Sequence, residues 1–289
     1  MTTLYIIGNG FDLWHELPTR YDDFYKFAKD VLDELEPYYD VDVAQGELWC
    51  DFEKSLGFFN WSQFYEAYDH TDVTAEDFRP SEAFGLEDEL TQEAEHLVET
   101  IRNRFHAWID DIDVSSAKRK MCFARRSRFL TFNYTSTLQS VYGVDDDNVF
   151  HIHGKSDRLD ELIFGHRETI EEEPELDEND DNNRTIFSDA EGAAKYPFYA
   201  LQKPVDEIIQ KNREYFESLH GITDVRVIGH SLNEVDLPYF RELARNMIGA
   251  SWHVCCYKAT DENDYVQQLL KCGIRKENIH TCTYSDIAA

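Results

Sequence analysis

The sequence predicts an α/β fold in which a mainly parallel sheet is flanked by helices. Three observations carry this. Short apolar runs recur at 4–8, 128–134, 148–153, 161–165, 224–229, 252–257 and 279–284, most of them β-branched or aromatic and bounded by polar or Gly clusters. Helical patterns lie between these runs, and strands that alternate with helices build parallel sheets. The first run, LYIIG, ends in Gly8-Asn9-Gly10 and leads into a helical pattern, as a buried strand does when it enters a phosphate-binding turn. The expected core is therefore Rossmann-like.

Taken in order, the first strand ends at Gly8 and the next good strand starts near Arg128. About 120 residues separate them, too many for one crossover connection. Helical segments around 21–36, 61–69 and 83–109 fill this gap. The clearest places Leu86, Leu90, Ala94, Leu97, Ile101, Phe105 and Trp108 on one face. Residues 21–125 are thus expected to form a helical insertion or cap, and residues 1–20 with 126–289 the core. A further helix is expected through Val205, Ile208, Ile209, Asn212, Tyr215, Phe216 and Leu219, opened by Pro204. The acidic run 171–181 reads as a solvated loop, because like charges repel.

Bulk composition narrows the function classes. Of 289 residues, 42% are hydrophobic, enough for a substantial core, and no stretch approaches the roughly 18 apolar residues of a membrane span. Met1-Thr2-Thr3 carries no basic region and the apolar run behind it is short, so no signal peptide is expected and the chain reads as cytoplasmic. Six cysteines without a CxxC pair argue against structural zinc. A net charge of -30 repels phosphate backbones and anionic lipids, which disfavours general nucleic-acid and membrane binding.

Ligands of an open parallel sheet bind beyond the carboxyl ends of its strands. There the sequence places Gly8, Asn9, Gly10, Phe11 and Asp12; Asn133, Tyr134, Thr135 and Ser136; His151, His153, Gly154 and Lys155; and Gly229, His230, Ser231 and Asn233, with Asp236 nearby. Each has a plainer explanation. Leu13 stands where the dinucleotide fingerprint has its third glycine. Asn133 suits the cap of a helix starting near Thr135. His151 and His153 are assigned to opposite faces of one strand, leaving one of them for a given pocket. Their coincidence at the strand ends is what points to a site.

IIGNGFDLWHELPTRYDDF, WCDFE at 49–53, LTFNYT at 130–135, HIHGK at 151–155 and IGHSLNEVDLPYF at 228–240 together resemble the AbiH family of phage abortive-infection proteins. Their order and spacing are also similar to a sirtuin-like nucleotide-binding core. That resemblance implies NAD as substrate, with no metal, and gives the residues roles. Gly8, Asn9 and Gly10, with Phe11 and Asp12 beside them, would meet the pyrophosphate through backbone N–H groups. Leu17-Pro18-Thr19 would close over the nicotinamide ribose. Asn133 would hold a water or the ribose, and His153 would act as general base. Gly229, Ser231 and Asn233 would hold the adenosine side.

Two departures from deacylase sirtuins, the missing paired cysteines and Thr135 in place of an aspartate, favour cleavage to nicotinamide and ADP-ribose over acyl transfer. An antiphage effector that hydrolyses NAD is thus the leading expectation, with self-assembly or a phage-derived partner as its activator. A metal-dependent nuclease or nucleotide hydrolase using Asp12, Asp51 and Glu53 stands as an alternative. A non-catalytic nucleotide-sensing module is another.

Overall fold

A computed structural model of the chain describes residues 2–40, 48–70, 79, 81–156, 161–172, 174, 176 and 182–288. Six strands form one all-parallel sheet: β1 (Thr3–Ile7), β2 (Ser127–Thr131), β3 (Val149–His151), β4 (Asp224–Ile228), β5 (Ser251–Cys256) and β6 (Ile279–Thr283). The spatial order is β3-β2-β1-β4-β5-β6. That is the doubly wound order of Rossmann folds, in which the chain leaves the middle of the sheet in opposite directions from β1 and β4. The sheet therefore has its topological switch point between the carboxyl ends of these two strands.

Helices complete the order: α1 (Asn9–Trp14), α2 (Tyr21–Phe27), α3 (Lys29–Leu35), α4 (Phe52–Ser55), α5 (Trp61–Tyr68), α6 (Ser81–Asp111) and α7 (Thr137–Tyr142) in the first half. Then come α8 (Ser188–Ala200), α9 (Val205–Lys211), α10 (Arg213–Glu217), α11 (Leu237–Asn246), α12 (Glu262–Lys271) and α13 (Tyr284–Ile287). No helix among the described residues is long and apolar enough to cross a membrane.

The chain divides into two compact units. One holds Met1–Asp23, His106–Ile163 and Pro204–Ala289; the other holds Phe24–Phe105 and Phe164–Lys203. In the first unit, strand alternation sends neighbouring residues to opposite faces of the sheet. Leu4, Ile6, Leu130, Val225, Val227 and Val254 pack with Val205, Ile208, Phe216, Tyr239, Phe240 and Leu243 from α9, α10 and α11. Tyr5, Ile7, Phe129, Ile228 and Cys255 pack on the other face with Phe11 and Leu138 from α1 and α7. All of β1 is buried, as a central strand covered on both faces must be.

In the second unit Phe24, Phe52, Phe105 and Phe164 form one aromatic cluster, with ring centroids from 4.3 to 5.8 Å apart. The predicted stripe of α6 is buried at every position from Leu86 to Trp108.

Two local expectations change. Residues 161–165 do not pair as a strand: Gly165, at φ 143°, sits against the Leu201 carbonyl, and Phe164 joins the aromatic cluster. A short apolar run signals burial, and here the burial is side-chain packing without a ladder. The single helix expected over 205–219 is two, α9 and α10, meeting at Asn212, whose side chain donates to the Ile208 carbonyl at 2.8 Å. Residues with such local hydrogen bonds weaken helix interiors. The acidic run 171–181 lies mostly outside the described residues; Glu172, within them, pairs with Lys195 at 3.0 Å. All six cysteines are free thiols.

Candidate functional site

At the switch point the two glycine turns interlock. Gly8 follows β1 in extended conformation and caps α1. Its N–H donates to the Ile228 carbonyl at 3.0 Å, and the Gly10 N–H donates to the Gly229 carbonyl at 2.7 Å. A Cβ on Gly8 would lie 2.6 Å from His230 Cα, and one on Gly10 would lie 2.9 Å from Gly229 Cα. One on Gly229 would lie 2.1 Å from the Phe11 nitrogen. Three glycines are thus needed for two backbones to touch. The N–H groups of Gly8 and Gly10 are engaged by β4 and its turn. Phe11 is fully buried, with its ring against His15 at 4.4 Å and Tyr142 at 5.7 Å. Asn9 is exposed and its side chain donates to the Thr19 carbonyl at 2.6 Å, fixing the Leu17-Pro18-Thr19 segment to the turn.

Asp12, on α1, is 1% exposed. Thr135 Oγ1 donates to its Oδ2 at 2.6 Å, and Thr137 Oγ1 lies 3.0 Å from Thr135 Oγ1. Its other oxygen, Oδ1, is buried without a partner. Burial lifts the Asp12 carboxyl from 3.8 to about 6, against the opposing influence of the Thr135 hydrogen bond and of the neighbouring Thr137 and Asn133 side chains. Asn133 is not a helix cap: α7 starts at Thr137 behind Ser136. The turn leaving β2 instead brings Asn133 beside Asp12, with Asn133 Oδ1 also buried and unpartnered. Thr19 Oγ1 is a third such atom. Buried polar atoms are nearly always paired, so these three acceptors are where a water or ligand donor would fit.

The histidines divide differently from the expectation. Residues two apart on a strand share a face, so alternation could not separate His151 from His153. What separates them is that β3 ends at His151, and His153 lies in the following turn. His151 Nδ1 donates to the Asn133 carbonyl at 3.0 Å, while its Nε2 accepts from Gln139 at 3.0 Å, which fixes the tautomer. It holds the Asn133 backbone from behind. His153 is 2% exposed, with Nε2 3.4 Å from the Tyr239 hydroxyl. Phe132 touches both His153 and His230, with ring centroids at 5.2 and 4.3 Å. His230 Nδ1 accepts from the Leu232 N–H at 2.9 Å, and its Nε2 faces Asp236 at 3.5 Å. Leu232, fully buried, sits at φ 55°, a left-handed conformation that costs energy for a branched side chain. Ser231 and Asn233 flank it on the surface.

The structure thus brings Asp12, Asn133 and Thr135 together, and His153 together with Tyr239 and Phe132. Asp51 and Glu53 belong to the second unit, where Glu53 meets the buried Lys203 ammonium at 3.2 Å. Among the described residues no group of three or more His, Cys, Asp or Glu side chains is arranged to hold a metal ion. Thr135 and His230 were placed at the strand ends by sequence but given no role, and Thr137 and Tyr239 were missed. The hydroxyl-rich stretch TFNYTST was the available signal for the two threonines. No curated protein and no solved structure matches the chain. The family model for bacteriophage abortive infection AbiH matches residues 4–256, most of the chain, and the protein belongs to that family.

Proposed function

We propose that this protein acts in abortive infection by hydrolysing NAD at the nicotinamide–ribose bond. The observation that carries the reading is the placement of buried, unpartnered Asp12 Oδ1 and Asn133 Oδ1 at the carboxyl edge of a sheet with the 3-2-1-4-5-6 order. Sheets of that order take dinucleotides at the switch point, and orphaned acceptors suit the hydroxyl groups of a ribose.

In this reading the turns at Gly8, Asn9, Gly10 and Phe11 and at Gly229, Ser231 and Asn233 border the dinucleotide. Asn133 orients the ribose and His153 serves as base toward its hydroxyl. The bond broken joins a cationic leaving group to an anomeric carbon, so orientation, exclusion of water and a nearby carboxylate are what the protein must supply. An activity of this kind has to be silent before infection, so the proposal includes a trigger, either self-assembly or a phage-derived partner.

The test uses cells in which such a trigger is present. Cells expressing the wild-type chain are infected, and NAD, nicotinamide and ADP-ribose are followed alongside phage yield. NAD is expected to collapse with matching release of nicotinamide in the wild type and to persist in Asn133→Ala and His153→Ala. Protection from phage with NAD unchanged would refute hydrolysis and leave a sensing module or a different substrate.

A further inference from the structure

Resting on the NAD reading, we infer that Asp12 is a catalytic residue, the acceptor of the proton released by the attacking water. Asp12 projects from α1 just beyond the carboxyl end of β1, and only one of its two oxygens is engaged, by Thr135 at 2.6 Å. The other oxygen is buried with no donor. An ionised carboxylate can accept at both oxygens and donate at neither, so the missing partner is an O–H or N–H group.

Asn133, beside it, presents a second orphaned acceptor. In this reading a water or a ribose hydroxyl supplies the donor that these acceptors lack. Burial and the uncharged Thr135, Thr137 and Asn133 side chains set the affinity of Asp12 for a proton. The resulting value, about 6, is close to the ambient pH at which a general base works best. His153, enclosed by Phe132, Tyr134 and Tyr239, keeps its separate role toward the ribose hydroxyl.

The step balances. The carbon–nitrogen bond breaks with its electron pair going to the nicotinamide nitrogen, which leaves neutral. The water oxygen bonds to the anomeric carbon, its proton passes to Asp12 Oδ1, and Asp12 then returns that proton to solvent. NAD and water give nicotinamide, ADP-ribose and one proton.

The experiment compares wild type, Asp12→Asn and Thr135→Val as activated protein recovered from infected cells, with NAD as the probe. Asp12→Asn keeps the size of the side chain and the acceptor for Thr135. It is expected to lower kcat by about 100-fold or more, as removal of a general base does, with KM for NAD within a few-fold. Removing the Thr135 hydroxyl takes away a bond that favours the charged form, so the acid limb of the kcat/KM profile should move to higher pH in Thr135→Val. Circular dichroism reports folding of each variant.

Activity of Asp12→Asn within a few-fold of wild type overturns the role of Asp12 while leaving NAD hydrolysis standing. If Asp12→Asn fails to fold, the Thr135→Val profile decides, and an unmoved acid limb overturns the role. Absence of NAD loss in infected wild-type cells overturns both readings.

Discussion

Replacing Gly229 by Ala tests whether the two turns at the switch point are locked together. Gly229 has φ 74°, a conformation that costs an L-residue roughly 1–2 kcal/mol. The new methyl would also lie 2.1 Å from the Phe11 nitrogen, 2.7 Å from the Gly10 carbonyl carbon and 2.8 Å from the Gly8 oxygen. All three are backbone atoms and cannot rotate aside. The β4 turn must retreat, which breaks the Gly10 N–H bond to the Gly229 carbonyl at a cost of about 1 kcal/mol and loosens the packing beneath it. These two parts sum to roughly 2–3 kcal/mol, with the loosened packing in addition.

Gly249 provides the control, since it also has positive φ, 78°, but nothing lies within 4 Å of its Cβ position. Gly249→Ala should therefore cost only the conformational part, about 1–2 kcal/mol. Both glycines belong to the first unit, so urea unfolding can be followed there by hydrogen exchange in peptides that cover β1 and β4. Equal destabilisation by the two substitutions would refute the interlocked turns.

Two further outcomes are expected. Gly85 lies inside α6, and no atom comes within 4 Å of the place a methyl group would take, so Gly85→Ala should raise stability by about 0.5–1 kcal/mol in urea unfolding; a loss would show an uncounted neighbour. Asp12 binds its proton more tightly when folded, near 6 against 3.8, so the contribution of this group is fully present below pH 3.8 and is lost as pH rises through 6. The stability advantage of Asp12→Asn over wild type should therefore grow by about 2.4 kcal/mol between pH 4 and pH 7, from the two proton affinities at about 1.36 kcal/mol per unit, and a pH-independent gap would contradict the buried carboxylate.

Much of the sheet was legible because its strands are short, apolar and punctuated by polar turns. Six of the seven expected strands pair, and the long stripe on α6 is buried throughout. The run 161–165 misled because hydrophobicity reports burial without saying whether the backbone pairs. Nothing in the pattern announced that residues 164–203 pack with 24–105, since contacts at long sequence separation leave no periodic signal. In the candidate site, the positions at the strand ends could be read from sequence, but their partners could not. That Thr135 serves Asp12, and His151 the Asn133 backbone, depends on how two turns leave neighbouring strands.

The GNG turn therefore divides its labour with the residue two positions beyond it. Gly8 and Gly10 are explained by close approach to the turn after β4, without any ligand. Asp12 is not explained by the fold in the same way. An asparagine there would still accept the Thr135 hydroxyl and would bury no charge, so packing and the local hydrogen bond do not call for an acid. Burying a carboxylate with one oxygen unpartnered costs stability. A residue whose charge is costly to the empty fold, and whose buried Oδ1 has no donor, is accounted for in the proposed reading by a ligand that brings that donor. This places the chemical weight of the motif on Asp12, and the glycines become the hinge of backbone contact that holds it at the edge of the sheet.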